Sequence, residues 1–328
     1  MLYIRNDSTD PRHNLALEEY VFMSLQPAQD FIMLWQNSPS VIVGKNQNTA
    51  EEINNEYVEK NGVHVVRRST GGGAVYHDLG NLNYTFITQA EGEGIDFKKF
   101  TMPVIRVLNS LGVPAEFNSR NDIAIDGKKF SGNAQRVYKN RVLHHGTIMY
   151  NSKLEDVHNV LKVKAEKFKS KSVKSVRSRV TNVIDYMPEP IPIEEFKELL
   201  LQRLFLEQDT PKQEYVLTEE DEAAVRQIMA DKYGNWEWNY GYSPPFNFEK
   251  TDRFTGGTLQ VRLNVVKGIV ETCKIYGDFF GVKNVEDIEQ RLQGVRYERK
   301  AIREALTGLD LEPYFGKVTL DEFLSCCF

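Results

Sequence analysis

The spacing of apolar residues along the chain changes repeatedly between a helical period and short continuous runs. Residues 14–25 carry most of their apolar side chains on one stripe, which predicts an amphipathic helix after a turn at Pro11. Apolar runs at 31–35 and 41–43 predict strands. The same criteria predict helices at 51–61, 98–111 and 194–205 and strands at 63–66, 82–87, 115–117, 122–125, 129–130 and 142–150. Helices and strands in this irregular order indicate an α+β layered domain.

A change of composition divides the chain in its last third. Residues 236–248, WEWNYGYSPPFNF, contain two prolines and no periodic apolar face, and a chain of 328 residues is long enough for about two domains. We therefore expect a large domain at 1–245 and a small domain at 252–328. In the small domain, 259–265 and 269–275 predict a hairpin, and 284–292 and 299–306 predict helices. The small domain is also expected to be α+β.

Three consecutive glycines, Gly71 to Gly73, lie between two predicted strands in the segment VHVVRRSTGGGAVYHDLGNLNYTFI. Such a run is typical of a backbone that takes unusual dihedral angles or approaches another group closely. With Arg68 beside it, the turn could form a concavity that holds an anion. A purely structural hairpin with glycines at positive φ fits the same pattern equally well.

The segment SRNDIAIDGKKFSGNAQ places Asp126-Gly127 between two short strand patterns, which predicts a hairpin with Lys129 at the start of its second strand. One interpretation has the Lys129 ammonium pointing inward, against phosphate or carboxylate oxygens. The other, which the spacing alone favours, is a solvated hairpin tip. Because strand side chains alternate between faces, at most one of Lys128 and Lys129 is expected to be functional.

Two more polar segments follow. In His144-His145-Gly146-Thr147 one histidine should face the core, and a satisfied core histidine is the default interpretation, since a metal site lacks further ligands at a workable spacing. Residues 162–182 carry eight Lys or Arg and one Glu. Such a run is usually a solvated face or a self-repelling loop, but it could also be a mobile cover over a phosphate-bearing intermediate.

Composition and missing motifs narrow the function. The net charge of −5 argues against a general nucleic-acid binder, and no signal peptide or membrane span is found, so we expect a cytosolic protein. The three cysteines, Cys273, Cys326 and Cys327, all come late, fit no zinc motif and are expected to be reduced packing residues. No Gly-x-Ser-x-Gly elbow, no Walker A loop and no cysteine before position 273 is present.

Taken together, RRSTGGGAVYHDLGNLNYTF, SRNDIAIDGKKFSGNAQ, HHGTIMYN and SVRSRVTN resemble, in order and spacing, the motifs of bacterial two-domain lipoate–protein ligases. The resemblance covers nearly the whole chain, including WNYGYSPPFNF and IYGDFFG. It implies a large domain of the biotin/lipoate ligase fold, with a mixed sheet and surrounding helices, and a small C-terminal accessory domain. It also implies a two-step reaction, in which ATP and lipoate form lipoyl-AMP and a lysine of an acceptor protein then takes the lipoyl group.

The resemblance further implies substrates, partners and residue roles. ATP, Mg²⁺ and lipoate would be needed, and the acceptors would be apo lipoyl domains of 2-oxoacid dehydrogenase complexes and the glycine-cleavage H protein. Lys129 matches the family's essential lysine, which binds the lipoate carboxylate and the α-phosphate. The adenylate and the acyl carbonyl would be held by Arg68 and by the backbone of Gly73, Ala74, Val75 and Tyr76. Asn121 and Asp122 would lie near adenosine or Mg²⁺, with Asp122 as a metal ligand.

The remaining implied roles concern the acyl group. The lipoate pocket would include Gly71, Gly72, His77, His145 and Thr147, and SVRSRVTN would cover the adenylate. Two alternatives stay open. Octanoyltransferases and amidotransferases of the same fold act without ATP through a cysteine thioester, and the absence of a cysteine in the large domain, together with Lys129 and the accessory domain, favours the ligase. A non-catalytic lipoate-binding module is the second alternative, and the retention of every polar motif residue speaks against it.

Overall fold

The computed structural model describes residues 1–26, 28–90, 94–118, 121–161, 180–207, 211–240 and 246–328. The strands within these residues are β1 Leu2–Arg5, β2 Phe31–Trp35, β3 Ser40–Val43, β4 His64–Arg67, β5 Val75–His77, β6 Asn81–Gln89, β7 Ala115–Asn118, β8 Asp122–Ile125, β9 Lys128–Tyr138, β10 Arg141–Met149, β11 Glu214–Tyr215, β12 Phe248–Phe254, β13 Gly257–Val266 and β14 Ile269–Gly277.

The helices within the same residues are α1 Pro11–Met23, α2 Thr49–Glu52, α3 Asn55–Asn61, α4 Phe97–Ser110, α5 Leu154–Val160, α6 Ile193–Glu207, α7 Glu219–Ile228, α8 Trp236–Asn239, α9 Glu286–Leu292, α10 Arg299–Ala305, α11 Glu312–Phe315 and α12 Leu320–Cys326. A 3₁₀ turn follows at Ile184–Tyr186, and a π turn at Met229–Tyr233 extends α7. None of these described helices is long and apolar enough to cross a bilayer.

The largest element is an eight-stranded mixed sheet in the order β11-β1-β2-β6-β10-β9-β8-β7. Strands β11, β1 and β2 run parallel, and every pairing from β2 to β7 is antiparallel. One face packs on α4 and α6, where Leu34 and Phe86 share a core with Val104 and Leu200. The opposite face packs on α1, so the predicted mixed sheet with flanking helices is confirmed.

The start of α1 shows how local signals set its bounds. Asp10 accepts a hydrogen bond from the backbone N–H of Arg12 at 2.9 Å, and Pro11 occupies the first turn, where its missing N–H costs nothing. The predicted turn at Pro11 is therefore the first turn of the helix itself. Farther along, the helix predicted at 51–61 is broken into α2 and α3, because Asn54 caps α3 with its side chain. Gly62 ends α3 at φ 60.

A second, three-stranded sheet has the order β4-β3-β5, with β3 parallel to β4 and antiparallel to β5. The segment 68–74, which we call the glycine loop, connects β4 to β5 and so passes over the end of β3. The interpretation of a hairpin closed by the glycines is therefore wrong. The strand predicted at 63–66 is β4, whereas the strand predicted at 82–87 is β6 of the eight-stranded sheet. Strand β5, which directly follows the glycines, was not predicted, and β3 lies between β4 and β5.

The C-terminal unit, residues 248–328, contains the antiparallel sheet β12-β13-β14 and the helices α9 to α12 around a core of its own. The predicted hairpin is confirmed, and its turn residues Lys267 and Gly268 have φ 50 and 76. Strand β12 was missed because its sequence, FEKTDRF, is mostly polar on an edge strand. The boundary between 245 and 252 stays a prediction.

Candidate active site

A cavity of about 100 Å³ lies between the eight-stranded sheet and the β4-β3-β5 sheet, on the face that packs against α1. Side chains from both sheets line it, among them Trp35 and His145 on one side and Ile42 and His77 on the other. The residues predicted from sequence that line this cavity are Arg68, Gly72, Gly73, Ala74, Val75, His77, Asn121, Lys129, His145 and Thr147. Segments far apart in the chain thus meet at one site.

Three predicted residues lie beside the cavity. The ring of Tyr76 points away from it, because β5 alternates between Val75 and His77, and its hydroxyl is directed toward Asp156. Gly71 packs on the C-terminal unit, where an added Cβ would lie 2.6 Å from the carbonyl oxygen of Phe279. Asp122 lies behind Lys129, with its Oδ1 2.7 Å from the Lys129 Nζ.

Arg68 is buried and organises the glycine loop from within. Its guanidinium donates to the hydroxyl of Thr70 at 3.0 Å and to the carbonyl oxygens of Ile42, Gly71 and Gly73 at 3.0, 2.7 and 2.8 Å. Burial lowers the pKa of Arg68 to about 10, which still leaves the group charged at neutral pH. The loop is therefore held around a fixed cation. Direct contact of Arg68 with an adenylate stays a prediction.

The glycines of this loop have different structural roles. Gly72 has φ 91, a left-handed value, and any Cβ on Gly44 would overlap its carbonyl oxygen. Gly73 is open on its side-chain face, with no atom of the described residues outside its chain neighbours within 4 Å of an added Cβ. The backbone N–H groups of Gly73 and Ala74 donate no hydrogen bond to any residue that the structure describes. Free N–H groups beside a buried cation suit an anionic ligand.

A β-bulge sets the direction of Lys129. In the β8–β9 pairing Ile123 faces Ser131 and Ala124 faces Lys129, so Phe130 is the extra residue. Because of this extra residue, Lys129 and Gly132 lie on the same face of β9, and an added Cβ on Gly132 would be 3.0 Å from the Lys129 Nζ. Phe130 is buried in the core on the other face. The Lys129 ammonium therefore faces the cavity that the glycine loop lines, and Lys128 is the exposed lysine.

His145 belongs to a buried chain of polar groups that ends at the glycine loop. Its Nδ1 lies 2.9 Å from Oε1 of Glu18, and its Nε2 lies 2.9 Å from the Thr70 hydroxyl. A carboxylate only accepts, so Nδ1 donates to Glu18, while the Thr70 hydroxyl, which accepts from Arg68, lies against Nε2. The Glu18 carboxylate also accepts from the Thr85 hydroxyl at 2.7 Å. Helix α1 is thus linked through His145 and Thr70 to Arg68.

His144, its neighbour, points to the opposite face of β10 and is the core histidine that the sequence predicts. Its ring stacks on Phe100 with centroids 4.9 Å apart, and its two nitrogens lie 2.9 Å from Gln135 Nε2 and 3.2 Å from Asn133 Oδ1. Burial holds the pKa of His144 well below its usual value. Alternation along one strand therefore separates a structural histidine from one that lines the cavity.

His77 is 3% exposed and lines the cavity. Its Nδ1 lies 3.0 Å from the side-chain nitrogen of Asn37, whereas its Nε2 has no hydrogen-bond partner among the residues that the structure describes. Burial, together with the nearby charge of Arg68, lowers the pKa of His77 to about 3. The imidazole is therefore neutral and carries one N–H.

The C-terminal unit closes one side of the site. Phe280 lines the cavity and packs edge-on against Phe97, with ring centroids 5.2 Å apart. The carbonyl oxygen of Phe279 accepts from the backbone N–H of Gly72 at 3.4 Å. Nearby, the N–H of Gly277 donates to the carbonyl oxygen of Asn46 at 2.8 Å. Contact between the two parts of the chain is therefore made at the glycine loop itself.

Sequence reasoning missed several residues of the site. The cavity is also lined by Leu15, Trp35, Ile42, Asn83, Gly132, Asn133, Ala134, Gly146 and Phe280. Glu18 carried a usable signal, since it lies three residues after Leu15 on the apolar stripe of α1, and a carboxylate on a buried stripe needs a partner. Trp35 carried none, because an aromatic residue at the end of an apolar strand is common in any core.

The segment predicted to cover the adenylate, 175–182, and the basic run 162–182 that contains it lie outside the described residues except for their last three positions. Of these, Val180 pairs with Lys129, and the N–H of Thr181 donates to the Lys129 carbonyl oxygen at 3.0 Å. The end of that segment is thus attached to the backbone of the predicted catalytic lysine.

Metal-binding and nucleophilic groups are few. Within the described ranges, no cluster of three or more His, Cys, Asp or Glu side chains could hold a metal ion, and Asp122 is the carboxylate nearest Lys129. Cys273, Cys326 and Cys327 are free and buried in the C-terminal unit, and burial raises the pKa of all three thiols. As predicted, they pack in a core.

Comparison with known proteins identifies the family. Residues 10–205 match the lipoyl protein ligase A/B catalytic domain, and residues 243–326 match the bacterial lipoate protein ligase C-terminus. The chain belongs to the lipoate–protein ligase family. It is 50% identical over 331 residues to the lipoate-protein ligase LplJ of Bacillus subtilis, covering 100% of both chains. The predicted family, fold and enzyme class are therefore confirmed.

Solved structures of lipoate–protein ligases agree with this assignment. P. falciparum LipL1 in complex with lipoate matches with a TM-score of 0.81 and 25% identity, over 99% of this chain and 97% of that one. Lipoate-protein ligase A bound with ATP matches with a TM-score of 0.64 and 30% identity, over 74% of this chain and 97% of that one. The second match covers less of the present chain.

Proposed function

We propose that this lipoate–protein ligase works in two steps within the cavity between its two sheets. In the first step the carboxylate of lipoate attacks the α-phosphate of ATP, which gives lipoyl-AMP and releases pyrophosphate. In the second, the ε-amine of an acceptor lysine attacks the acyl carbonyl and AMP leaves. The observation that carries the proposal is that the Lys129 ammonium and the glycine loop line the same cavity.

Lys129 acts on both steps through its charge. Its ammonium attracts the lipoate carboxylate, offsets the negative charge that develops at the α-phosphate, and stabilises the oxyanion formed when the acceptor amine adds to the carbonyl. Asp122, 2.7 Å from the Nζ, orients the ammonium in the absence of substrate. A fixed cation next to free backbone N–H groups needs little reorganisation when charge develops in the transition state.

The glycine loop holds the adenylate in this proposal. Its N–H groups at Gly73 and Ala74 donate to phosphate and carbonyl oxygens, and Val75 and Tyr76 continue the same backbone wall. Arg68 acts mainly by fixing the loop, because its donors already bind four protein oxygens. Asn121 lines the cavity beside Lys129 and is assigned to the adenosine side. Gly71, Gly72, His77, His145 and Thr147 surround the acyl group.

A Mg²⁺ ion could bind here through one protein carboxylate together with water and substrate phosphates. Magnesium commonly binds one or two protein carboxylates and takes its remaining ligands from water and substrate phosphates. Asp122 would supply the carboxylate, and the ion would neutralise phosphate oxygens of ATP. Asp122 is already paired with Lys129. When Mg²⁺ binds, the Asp122 carboxylate would therefore either leave the Lys129 ammonium or contact both cations.

The acceptors proposed are apo lipoyl domains of 2-oxoacid dehydrogenase acyltransferase subunits and the glycine-cleavage H protein. Both would present a lysine amine as the nucleophile. A thioester route without ATP is disfavoured, because the free cysteines lie buried in the C-terminal unit and no cysteine precedes Cys273.

The decisive assay combines the purified protein with ATP, Mg²⁺, lipoate and an apo lipoyl domain. We expect the acceptor to gain the mass of one lipoyl group, with one pyrophosphate released for each transfer. Omission of ATP should prevent the mass gain, and supplied lipoyl-AMP should restore it. An acceptor that stays unmodified even with lipoyl-AMP supplied would leave only the role of a lipoate-binding module.

The first prediction concerns Lys129→Ala. Loss of the ammonium should slow adenylate formation by about 10²–10³-fold, the usual cost of removing one such donor. Pyrophosphate release with lipoate and ATP measures this step.

Lys128→Ala is the matched control, since Lys128 is the exposed neighbour on the opposite face of β9. It should stay close to wild type. Equal losses in the two variants would contradict the assigned role of Lys129.

A further inference from the structure

A buried carboxylate next to the cavity takes no part in the two chemical steps. Glu18, in α1, is 1% exposed, and Leu15, one turn earlier in the same helix, lines the cavity. Burial of a charged group is costly unless other groups bond to it. The donors that surround the carboxylate of Glu18 therefore indicate what its position is needed for.

Glu18 accepts hydrogen bonds from side chains of two neighbouring strands. His145 on β10 and Thr85 on β6 are directly opposite each other in the register of these strands, so both side chains lie on the sheet face that packs against α1. The Nδ1 of His145 lies 2.9 Å from Oε1 of Glu18, and the Thr85 hydroxyl donates to the same oxygen at 2.7 Å. One carboxylate thus orients two side chains from different strands.

Each of these two side chains has a second contact, and the two contacts lead to different walls of the cavity. The Thr85 hydroxyl accepts from the indole Nε1–H of Trp35 at 2.9 Å, so its own proton is free to point toward Glu18. The Nε2 of His145 lies 2.9 Å from the hydroxyl of Thr70 in the glycine loop. Glu18 is therefore connected to both the acyl side and the loop side of the cavity.

Thr70 is the residue through which this connection reaches the loop. It is 1% exposed, its carbonyl oxygen accepts from the N–H of Lys45 at 2.8 Å, and its hydroxyl accepts from the Nε–H of Arg68 at 3.0 Å. The Nη2 of Arg68 donates to the carbonyl oxygens of Gly71 and Gly73. A hydroxyl oriented by the imidazole therefore holds the guanidinium that holds the loop.

We propose that Glu18 is a positioning residue for adenylate formation, acting on the glycine loop through His145 and Thr70. The inference rests on the proposed function, which assigns that loop to the adenylate. Glu18 itself contacts no reacting atom. Its carboxylate keeps the free N–H groups of the loop where negative charge develops on the phosphate, and a small displacement of such donors lowers the rate strongly.

The kinetic test replaces Glu18 by glutamine, which has the same size. The amide oxygen can accept from Thr85, but the amide nitrogen would take the place of Oε2, 3.0 Å from the Nδ1 of His145, so that two donors face each other. We expect Glu18→Gln to lower kcat for pyrophosphate release by roughly tenfold to a hundredfold. KM for lipoate should change little, because the volume of the cavity is kept.

Glu19→Gln is the matched control, because Glu19 is the next residue of α1 and its carboxylate bonds Lys232 and Tyr233 instead. Its kcat should stay close to that of the wild type. A carboxylate that only stabilises the fold would leave kcat unchanged at temperatures where the protein stays folded. An unchanged kcat in Glu18→Gln, or equal losses in the two variants, would overturn the proposal.

A double-mutant cycle tests whether Glu18 acts through Thr70. Thr70→Val removes the hydroxyl and should lower kcat, and Thr70→Ser, which keeps a hydroxyl, should recover most of that loss. Because both residues belong to one chain of contacts, the double variant Glu18→Gln/Thr70→Val should be about as slow as the slower single variant. Losses that multiply in the double variant would show that Glu18 acts by another route and would refute the assignment.

A measurement by NMR keeps the proposal falsifiable if Glu18→Gln fails to fold. In ¹⁵N-histidine-labelled protein, with the His145 signals assigned from a His145→Gln spectrum, we expect a proton on Nδ1. Thr70→Val should shift this signal, because loss of the hydroxyl at Nε2 changes the bond that Nδ1 makes. A ring without a proton on Nδ1, or a signal that stays in place, would refute the link. Because neither ATP nor lipoate is added, failure here is separate from failure of the ligation assay.

Discussion

At the scale of single residues, two buried histidines make the protein sensitive to acid. His77 has its pKa lowered to about 3, and His144 has its pKa well below the usual value, in both cases mainly through burial. An unfolded chain binds a proton at each imidazole below about pH 6.5, while the folded protein does not. Each neutral histidine therefore contributes stability that is complete above about pH 6.5 and is lost as the pH falls toward the folded-state pKa.

The resulting prediction concerns His144→Phe. Below about pH 6 the free energy of unfolding of the wild-type protein should fall as the pH falls, by up to about 1.4 kcal/mol per pH unit for each such histidine that stays neutral in the fold. The variant should show a slope lower by that amount for one proton, whatever its absolute stability. Urea unfolding at a series of pH values measures both slopes. Parallel curves for variant and wild type would mean that His144 is already protonated in the fold.

Residue-level roles were predicted from the sequence where the evidence was local. Alternation along β10 was enough to predict that one of two adjacent histidines faces the core. The chain of contacts from Glu18 to the glycine loop was beyond reach, because Glu18, His145 and Thr70 are far apart in sequence and are joined only by the packing of α1 on the two sheets. Nothing in the sequence near position 18 shows which partner its carboxylate takes.

At the scale of elements, the glycines of β10 and of the glycine loop serve opposite purposes. Gly146 leaves room beneath β10, where the hydroxyl of Tyr84 on β6 reaches across to Oδ1 of Asn133 on β9. A Cβ at Gly146 would overlap both groups. A Cβ at Gly73, by contrast, would meet no atom of the part of the chain that the structure describes. One glycine is needed for the packing of the sheet, and the other leaves space for a ligand.

These two glycines provide a matched pair of variants. Gly146→Ala should destabilise the protein by about 1–3 kcal/mol, the usual range for overpacking, as measured by urea unfolding. Gly73→Ala should leave that free energy nearly unchanged but weaken the binding of lipoate and ATP, as measured by calorimetric titration. A stable Gly146→Ala, or a Gly73→Ala protein with normal affinity, would contradict the corresponding half of the argument.

The elements themselves were predicted well when a short segment determines them. Asp126 and Gly127 both have positive φ, 50 and 72, so a dipeptide specifies the β8–β9 turn. The pairing of β4 and β5 with β3 depends on a strand outside their own segment, and the local pattern suggested a hairpin instead. The bulge at Phe130 was also missed, because one extra residue in a strand leaves the apolar pattern almost unaltered.

At the scale of the whole molecule, one aromatic side chain joins the C-terminal unit to the cavity between the two sheets. Phe280 is 7% exposed and packs on Phe97 and the glycine loop. Phe280→Ala should cost about 3–5 kcal/mol, the usual range for a buried phenylalanine, and split thermal unfolding into two transitions. Scanning calorimetry measures the split. Val282→Ala, at a nearby position that is 38% exposed, is the control and should unfold like wild type. A single unshifted transition in Phe280→Ala would show that other contacts hold the two parts together.

Phe280 also shows why the sequence predicted polar residues that line the cavity but not the residue that closes it. The glycine loop and Lys129 can be recognised as candidate site residues from their residue types. Phe280, in contrast, is an ordinary aromatic residue some two hundred positions after the loop. Its part in the cavity comes from the docking of the C-terminal unit, which is a tertiary event. The polar residues that line the cavity were therefore predictable from short segments, and the shape of the compartment was not.

Because Phe280 closes one side of the cavity, a form of the enzyme without the C-terminal unit should behave differently. A fragment ending before β12 would retain the ammonium, the guanidinium and the loop amides, yet its compartment would be open on the side that Phe280 covers. Bulk water could then reach the mixed anhydride, and hydrolysis would compete with delivery to the acceptor. Such a fragment would consume ATP wastefully, with AMP accumulating faster than modified protein.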